Sequence, residues 1–330
     1  MTSGRSEERR ANRRSACPTR LEFTRMRRGG KIAALACAIG LAAAPGAQAL
    51  PDCSNAPTPR NILTGQGTLE SAITDGRGHL YFTSSNAGGS LIKLRREGAE
   101  PRPLVTGVAS PGGLAIHRSG NLLMGYGNSI LGGTTGTLDP QAGLLRINRR
   151  TGASGLYADG LAMANGIARA RDGTVFASDD FGIGIDRIAP DGTVENVWAE
   201  VISSNGMAVS PNQRWLYVAQ TFQPAAIQRV LINDPTRVEE YFRPGPEDNP
   251  AGPDGMVRDR RGNLFVTANA FGELWRIDRD GVGCVVASGL GMPSAVAIGR
   301  GGRNFKRRNL YVVEFGGRVI ELAGGTRARP

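Results

Sequence analysis

A phrase recurs along the chain at intervals of about 45 residues, in which a small polar residue leads into a short apolar strand, a turn and a second strand. The first positions of its six copies are Glu70, Gly112, Asn165, Asn205, Asp254 and Ser294. In four copies a glycine follows eight residues later, where a hairpin turn needs a residue that tolerates positive φ. These glycines are Gly78, Gly120, Gly173 and Gly262.

Each predicted hairpin is followed by segments typical of a third and a fourth strand, such as SLIKLRR and ELWRIDRDG. Short strands separated by turn signals, without an apolar period of 3.6 residues, indicate an all-β array. Six units of four strands predict an all-β fold, the six-bladed β-propeller. The sixth copy lacks a fourth strand, and residues 59–65 (PRNILTG) resemble the missing one. We therefore expect an N-terminal strand to close the ring.

The first positions of the six copies should meet around the central channel, because rotation about the propeller axis relates them. Four of them, Glu70, Asn165, Asn205 and Asp254, carry carboxylate or amide oxygens. A single Asn-Gly or Asp-Gly pair is also typical of an ordinary turn. Two carboxylates in a narrow channel, however, repel each other unless a cation neutralises them. Oxygen ligands without Cys or His favour Ca²⁺, with Mg²⁺, Mn²⁺ or Zn²⁺ as alternatives.

These residues resemble the gluconolactonase and regucalcin-like (senescence marker protein) family of six-bladed, calcium-dependent lactonases. The resemblance covers about residues 60–325 and rests on Glu70, on SNGMAVSPN in the fourth copy and on PDGMVRDRRGNLFV in the fifth. It implies that Glu70, Asn205 and Asp254 bind the metal and that Asn165 contacts the metal or the substrate. Two departures weigh against a sugar lactone. Ser-Ala follows Glu70 where the family usually has Gly-Pro, and Asn165 lies in MANGIA rather than in Arg-x-Asn-Asp.

The ring and the resemblance together predict a metal-dependent hydrolase that opens a lactone or a related ester. Asp254 is the predicted catalytic residue, either as general base on a water molecule or as direct nucleophile, beside a Ca²⁺ that acts as Lewis acid. Substrate choice should depend on the loops at the metal end of the blades. The candidate substrate-binding residues are Asn165, Asp180, Gln220 and Asn269.

Two further features of these loops are open to two interpretations each. The Gly/Thr-rich insert Gly127–Gly143 is either a lid or a surface loop without a role. Phe181, Phe222 and Phe271 recur at matching positions, and they either form an apolar wall over the metal or pack between blades.

Two other classes of function are considered beside the hydrolase. A non-catalytic propeller would hold the metal as a structural ion and bind a protein or a small ligand on its top face, and the fold alone does not decide this. A quinone-dependent sugar dehydrogenase would need a catalytic histidine. The two histidines, His79 and His117, fall in hairpins at the other end of the blades, where we expect solvated turn residues.

The first 49 residues are typical of a leader rather than of a fold. After Met26, basic residues precede an apolar run at 32–44, a Pro-Gly breaker and Ala47-Gln48-Ala49, which predicts a secretory signal peptide. The run is shorter than the roughly 20 residues of a membrane-spanning helix, so we expect no span in the mature protein. The predicted division is a non-native or disordered extension at 1–25, a signal peptide at 26–49 and the propeller at 50–330, with the mature protein periplasmic or secreted.

The net charge of +11 is concentrated in this leader, and residues 50–330 carry 30 basic and 26 acidic residues. Their arginines are scattered along the sequence and are not interleaved with aromatic residues, which argues against nucleic acid and leaves a small-molecule substrate as the expected partner. Cys53 and Cys284 are the two cysteines of this part of the chain. In an oxidising compartment such a pair is a candidate disulfide.

Overall fold

The computed structural model describes residues 49–222 and 224–330, which form 24 strands in six four-stranded sheets. The six-bladed propeller predicted from the repeat is therefore confirmed. The predicted N-terminal extension and nearly all of the predicted signal peptide lie outside the described residues. Within the described ranges, no helix combines the length and the hydrophobicity that crossing a membrane would require.

The first strand along the chain is β1 (Pro59–Leu63), and the next twelve strands build blades 1 to 3. Blade 1 contains β2 (Leu69–Thr74), β3 (Leu80–Ser84), β4 (Ser90–Leu94) and β5 (Arg102–Thr106). Blade 2 contains β6 (Leu114–Ile116), β7 (Leu122–Tyr126), β8 (Ala142–Ile147) and β9 (Ser154–Leu161). Blade 3 contains β10 (Ile167–Arg169), β11 (Val175–Ser178), β12 (Gly184–Ile188) and β13 (Val194–Glu200).

The remaining strands build blades 4 to 6. Blade 4 contains β14 (Ser204–Val209), β15 (Trp215–Gln220), β16 (Ala226–Leu231) and β17 (Asp234–Phe242). Blade 5 contains β18 (Pro253–Arg258), β19 (Leu264–Ala268), β20 (Glu273–Ile277) and β21 (Gly283–Ala287). Blade 6 contains β22 (Pro293–Ile298), β23 (Leu310–Glu314) and β24 (Val319–Leu322), with β1 as its outer strand. One short helix, α1 (Ile130–Thr135), and the 3₁₀ turns Asn86–Gly88, Pro246–Ala251, Asn269–Phe271 and Gly325–Arg327 complete the described elements.

The ring is closed by strand pairing between the two ends of the domain. Strand β1 pairs antiparallel with β24, with Pro59 opposite Leu322 and Leu63 opposite Val319. This confirms the closure predicted from residues 59–65. Closure matters because β1 and the other strands of blade 6 come from opposite ends of the domain, and their pairing keeps the first and last blades from separating.

The hairpin turns between the first and second strands of the blades follow the glycine pattern. Gly78, Gly120, Gly173 and Gly262 have φ values of 84°, 83°, 109° and 96°. An L side chain at these positions would be strained, since this region of φ favours glycine. The glycine spacing therefore marks the same turn in four blades.

The hydrophobic core consists of six layers, each lying between two neighbouring blades. The layer between blades 3 and 4, for example, joins Phe176 and Trp198 to Met207, Leu216 and Val218. Equivalent clusters occupy the other five blade junctions. Because each sheet contributes side chains to layers on both of its faces, most strand positions are apolar and the blades cannot rotate independently.

The segment before β1 is attached to the outer strand of blade 5. Cys53 and Cys284 form a disulfide with a Cα–Cα distance of 5.0 Å. On either side of it, the Cys53 amide donates to the Val285 carbonyl at 2.8 Å, and the Val285 amide donates to the Pro51 carbonyl at 2.9 Å. The N-terminal arm thus continues the sheet of blade 5 and links it to the strand that closes blade 6.

We expect replacement of both cysteines by serine to lower the free energy of unfolding by about 2–5 kcal/mol, because the bridge restricts the unfolded chain between distant residues. The two cysteines are 231 residues apart in the sequence. Urea titration followed by circular dichroism measures the change. Dithiothreitol should lower the stability of the parent to that of the double variant and leave the variant unchanged. Equal stability of parent and variant without reductant would show that the bridge does not support the ring.

Candidate active site

The four oxygen-bearing residues of the predicted ring lie together at one end of the central channel. Glu70, Asn205 and Asp254 lie near the beginning of the innermost strands β2, β14 and β18, and Asn165 lies two residues before β10. All four line a cavity of about 610 Å³ on one face of the propeller, and all four also line the narrow channel beneath it. We call this space the top cavity. The four side chains therefore surround its floor.

The other two first positions contribute no free polar group to this floor. Ser294 lines the channel, but its hydroxyl donates to the Leu69 carbonyl at 2.6 Å and lies 3.2 Å from the Val313 carbonyl. Gly112 has no side chain. Ser294 therefore joins the inner strands of blades 6 and 1, and the polar ring is open on one side.

Irregular strand pairing occurs at the site residues. The register between the first and second strands shifts between Leu69 and Ala72, between Ser204 and Met207, and between Pro253 and Met256. Glu70, Asn205 and Asp254 each lie inside one of these shifts. A bulge of this kind turns a side chain away from the regular alternation of the strand. The bulges thus direct the polar side chains to the axis while the rest of each strand keeps its apolar packing.

The glycine that follows three of the site residues is required by close packing between inner strands. A Cβ at Gly166 would lie 2.4 Å from the Asn205 carbonyl, and one at Gly206 would lie 2.3 Å from the Asp254 carbonyl. A Cβ at Gly255 would lie 2.3 Å from the Ser294 carbonyl. These Asn-Gly and Asp-Gly pairs are therefore not turn dipeptides. Each glycine lets the next inner strand approach the axis.

Ser71 occupies the equivalent position after Glu70 and makes a different contact between blades. Its hydroxyl accepts a hydrogen bond from the Leu114 amide at 3.1 Å, and its own amide donates to the Thr83 hydroxyl at 2.9 Å. The departure from Gly-Pro noted in the sequence is thus accommodated by hydrogen bonds, and Glu70 still reaches the floor of the top cavity.

The top cavity carries negative groups without a matching positive one. Glu70, Asp180 and Asp254 line it, and none of its described lining residues is Lys, Arg or His. Burial and the charge of Asp180 raise the pKa of Glu70 to about 7. Burial also raises the pKa of Asp180 to about 6, and burial together with the charges of Glu70 and Asp180 raises that of Asp254 well above its usual value. The three carboxylates therefore favour a bound cation.

Hydrogen bonds from asparagine side chains oppose these shifts and hold the carboxylates in place. Asn128 bonds Glu70, Asn165 bonds Asp180, and Asn205 bonds Asp254. A second donor to Asp254 is Asn269, whose Nδ2 lies 3.1 Å from Asp254 Oδ2 and 3.3 Å from the Pro293 carbonyl oxygen. Each acid at the site therefore has at least one amide partner.

Two oxygens at the cavity remain without a hydrogen-bond donor. Asp180 Oδ1 and Asn128 Oδ1 are both buried and unpartnered among the described residues. Buried acceptors of this kind normally have a partner, so both oxygens are available to a bound ligand. Within the described ranges, no three His, Cys, Asp or Glu side chains lie close enough to hold a metal by themselves. A bound metal would therefore depend on the amide oxygens as well as the carboxylates, a donor set that fits Ca²⁺.

Three of the four candidate substrate-binding residues lie at the cavity. Asn165, Asp180 and Asn269 line it. Gln220 does not line the cavity. Its Nε2 donates to the Pro224 carbonyl at 3.0 Å, and its Oε1 accepts from Gln228 Nε2 at 3.1 Å. The next two residues, Thr221 and Phe222, take its place in the cavity wall.

The Gly/Thr-rich insert and the recurring phenylalanines form part of the upper wall. The insert contains the short helix α1, whose N-cap Ser129 accepts from the Gly132 amide at 3.1 Å. Ile130 at the beginning of α1 lines the cavity and is 65 % exposed. The rings of Phe181 and Phe222 lie 5.6 Å apart between centroids and also line the cavity. Phe271 is not a lining residue, and its neighbour Ala270 is.

Asn128 is a site residue that the sequence reasoning did not identify. It belongs to the insert, outside the repeated phrase, so its position gives no periodic signal. The one sequence signal beside it is Gly127, which has a positive φ of 77° and turns the chain. The Asn128 amide then donates to the Ser110 carbonyl at 2.9 Å. The insert therefore contributes to the site through its first residues and through Ile130.

The histidines lie away from the site, but one expectation about them was wrong. His79 Nδ1 pairs with Asp75 at 3.0 Å and stays partly exposed. His117 is buried rather than solvated, and its ring packs edge-on against Tyr157 at 5.4 Å between centroids. Burial and the nearby arginines lower the pKa of His117. Both histidines thus support hairpins.

The fold and the site define a six-bladed propeller with an acidic cavity on its axis. Residues 177–314 match the family model described as SMP-30/Gluconolactonase/LRE-like region, which confirms the resemblance noted in the sequence. A comparison with curated proteins finds no match.

Solved structures support the same fold. A gluconolactonase from Xanthomonas campestris has a TM-score of 0.63 at 20 % identity, covering 85 % of this chain and 99 % of that one. Regucalcin from Agrobacterium tumefaciens, a calcium-binding protein, has a TM-score of 0.61 at 17 % identity, covering 81 % and 93 %. Virginiamycin B lyase from Staphylococcus aureus has a TM-score of 0.53 at 17 % identity, covering 78 % and 82 %. At sequence identities of 20 % or less, these structural similarities show the fold alone.

The close packing at the axis leads to a test of the site. We expect Gly206→Ala to lower the free energy of unfolding by about 1–3 kcal/mol, because the added methyl group pushes against the Asp254 carbonyl. It should also weaken Ca²⁺ binding measured by isothermal titration calorimetry. Gly155→Ala is the matched control, since a Cβ there meets nothing within 4 Å. Unchanged Ca²⁺ affinity in Gly206→Ala would show that the contact between Gly206 and the Asp254 carbonyl does not affect metal binding.

Proposed function

We propose that this protein is a periplasmic or secreted, divalent-metal-dependent hydrolase that opens a lactone or a related ester. The observation that carries the proposal is the set of three carboxylates in the top cavity, which lack a basic partner among its described residues. The unpartnered oxygens of Asp180 and Asn128 and the family match over residues 177–314 support it.

Glu70, Asn165, Asn205 and Asp254 are the residues that would hold Ca²⁺ in this proposal, with Mg²⁺, Mn²⁺ or Zn²⁺ as alternative ions. When bound, the ion would supply a Lewis acid for the carbonyl oxygen of the substrate. The amide hydrogen bonds to Glu70, Asp180 and Asp254 keep the carboxylates oriented before any ligand arrives. Less reorganisation is then needed when the site is filled.

Asp254 is the residue to which we assign the chemistry. It lies on the floor of the cavity, and Asn205 and Asn269 fix its carboxylate. As general base it would take a proton from a water molecule whose oxygen bonds the carbonyl carbon, while the ring C–O bond breaks and the leaving oxygen is protonated. As nucleophile it would bond that carbon itself while the ring C–O bond breaks and the leaving oxygen is protonated. Water would then attack Cγ of Asp254, so that the attacking carboxylate oxygen leaves with the product and the oxygen of water stays in the side chain. The two routes differ in the origin of the oxygen that joins the product.

The upper wall favours a neutral substrate with an apolar part. Ile130, Met163, Phe181, Phe222 and Phe315 line the cavity above the acids. None of the described lining residues offers a basic side chain to bind a substrate carboxylate. We therefore propose a lactone or an ester that carries an apolar substituent in preference to a sugar lactone.

The proposed location follows from the leader and the disulfide. The segment 26–49 has the order of a signal peptide, and Cys53–Cys284 is a bond typical of an oxidising compartment. N-terminal sequencing of the exported protein should find a mature chain that begins at Leu50. Retention of residues 26–49 in the exported protein would contradict this assignment.

We expect the purified protein to hydrolyse apolar lactones or aryl esters in a pH-stat assay with Ca²⁺, and to lose this activity in EDTA. Asp254→Asn should reduce turnover by a factor of about 10³ or more, because it removes the base or nucleophile, while circular dichroism shows the fold retained. Asp159→Asn removes an exposed carboxylate of β9 and is the matched control. Tight Ca²⁺ binding without hydrolysis of any substrate would support the non-catalytic propeller instead.

A single turnover in H₂¹⁸O separates the two routes for Asp254. The general-base route places ¹⁸O in the product. The nucleophilic route places ¹⁸O in the Asp254 side chain, where peptide mass spectrometry detects it. Full activity of Asp254→Asn would remove this residue from the mechanism altogether.

A further inference from the structure

A second large cavity lies at the opposite ends of the same inner strands. It has a volume of about 1130 Å³ and is lined by the turn between β18 and β19, the end of β22, the loop before β23 and the C-terminal segment. Strand β18 connects the two cavities, since Asp254 lies at its top end and Arg258 at its bottom end. At a rise of roughly 3.3 Å per residue, these positions are about 13 Å apart. We call this lower space the arginine basin.

The basin is unusually basic for a protein whose mature region is nearly balanced in charge. Nine of its nineteen lining residues are arginine, and they come from the β18–β19 turn, from β20, from residues 300–308 and from residues 327–329. Among the lining residues that the structure describes, Asp259 alone is acidic. Its Oδ1 accepts from the amides of Arg261 and Asn263 at 2.8 and 3.0 Å, and its Oδ2 accepts from Asn263 Nδ2 at 2.7 Å. Asp259 thus stabilises the turn.

The arginines of the basin have no ion-pair partners in the described part of the chain. The ion pairs found there, with N–O distances up to 4.0 Å, involve other arginines, in blades 1 to 6 outside the basin. Elsewhere on the surface, therefore, several arginines are matched with a carboxylate, whereas the basin arginines are not. Arginines gathered in this way give the basin a positive potential, which attracts anions.

Arg276 provides a second and independent observation. Its side chain is buried, with 8 % exposure, and its Nη2 donates to Asn263 Oδ1 at 2.9 Å. Its Nε and Nη1 are also buried and have no acceptor among the described residues. Burial and the charge of Arg329 lower the pKa of Arg276, although Asp278 and Asp259 oppose this shift. A buried guanidinium with two unused donors points to a ligand with oxygen acceptors.

Arg258 beside it has a fixed orientation. Its Nε donates to the Val209 carbonyl at 2.6 Å, and its Nη1 donates to the Asp259 carbonyl at 2.6 Å. The side chain is therefore held against the bottom of the channel before any ligand binds. A rigid guanidinium loses little conformational entropy when it donates to an oxyanion.

We propose that the arginine basin binds a small polyvalent oxyanion, a molecule that carries several phosphate or sulfate groups. Guanidinium groups match the geometry of these groups, and the volume of the basin exceeds that of a single phosphate. A compact ligand fits better than nucleic acid, because none of the basin's described lining residues is an aromatic that could stack against a base. The site lies on the other face from the proposed hydrolase site and is independent of it.

Isothermal titration calorimetry with sodium tripolyphosphate, at low salt and without divalent metals, tests the proposal. The parent should bind one equivalent with saturation, and Arg276→Gln should weaken binding about tenfold or more, because two charge-assisted donors are lost. Arg102→Gln removes an exposed arginine of β5 outside the basin and should leave the affinity within about twofold. Orthophosphate should bind more weakly than tripolyphosphate because it reaches fewer arginines, and inorganic sulfate should compete with it if the site accepts both groups.

Arg276 is buried, so thermal unfolding must show that Arg276→Gln folds. The double variant Arg300→Gln/Arg308→Gln changes two exposed basin arginines and keeps the proposal testable if the first variant does not fold. It should also weaken tripolyphosphate binding. The proposal is overturned if the parent shows no saturable binding, or if the folded basin variants bind like Arg102→Gln. Tighter binding of a single-stranded oligonucleotide than of tripolyphosphate would equally overturn it in favour of nucleic acid.

Discussion

The contact on which the rest of the molecule depends is the close approach of neighbouring inner strands around the axis. The carbonyls of one strand lie against glycines of the preceding one, as at Gly206 and Asp254. A larger residue at these glycines would widen the channel and separate the polar side chains that precede them. Because the approach is close, carboxylates from different blades share one poorly hydrated volume, and the cation that we propose would relieve their mutual repulsion.

Keeping repelling carboxylates together costs free energy, so other contacts must hold the ring closed. Six apolar layers between blades, the pairing of β1 with β24 and the Cys53–Cys284 bridge supply that restraint. The destabilised groups occupy the axis, where every blade would have to move for them to separate. The apolar layers, the β1–β24 pairing and the disulfide thus stabilise the ring enough to hold the repelling carboxylates together at its axis. Such a combination is expected where a protein keeps a site preformed for a ligand.

The repeat was sufficient to predict the fold, and rotational symmetry was sufficient to predict which side chains reach the floor of the cavity. The same reasoning failed where symmetry gives no information. Asn128 comes from an insert that one blade alone contains, and Gln220 lies one strand position away from the residues that line the wall. His117 was expected in solvent because hairpins are usually exposed, but Tyr157 of the same blade covers it. The arginines of the basin are scattered in sequence, and only the turns and the C-terminal segment bring them together.

The two cavities also explain why net charge describes this molecule poorly. Acidic groups collect at the top ends of the inner strands and arginines at the bottom ends, so β18 carries Asp254 and Arg258 at opposite ends. The two groups of charges are separated along β18 by about 13 Å, more than one Debye length at physiological salt, so each acts largely on its own face. A nearly balanced chain can therefore attract cations on one face and oxyanions on the other. This polarity arises from the direction of the inner strands, and a count of basic and acidic residues cannot reveal it.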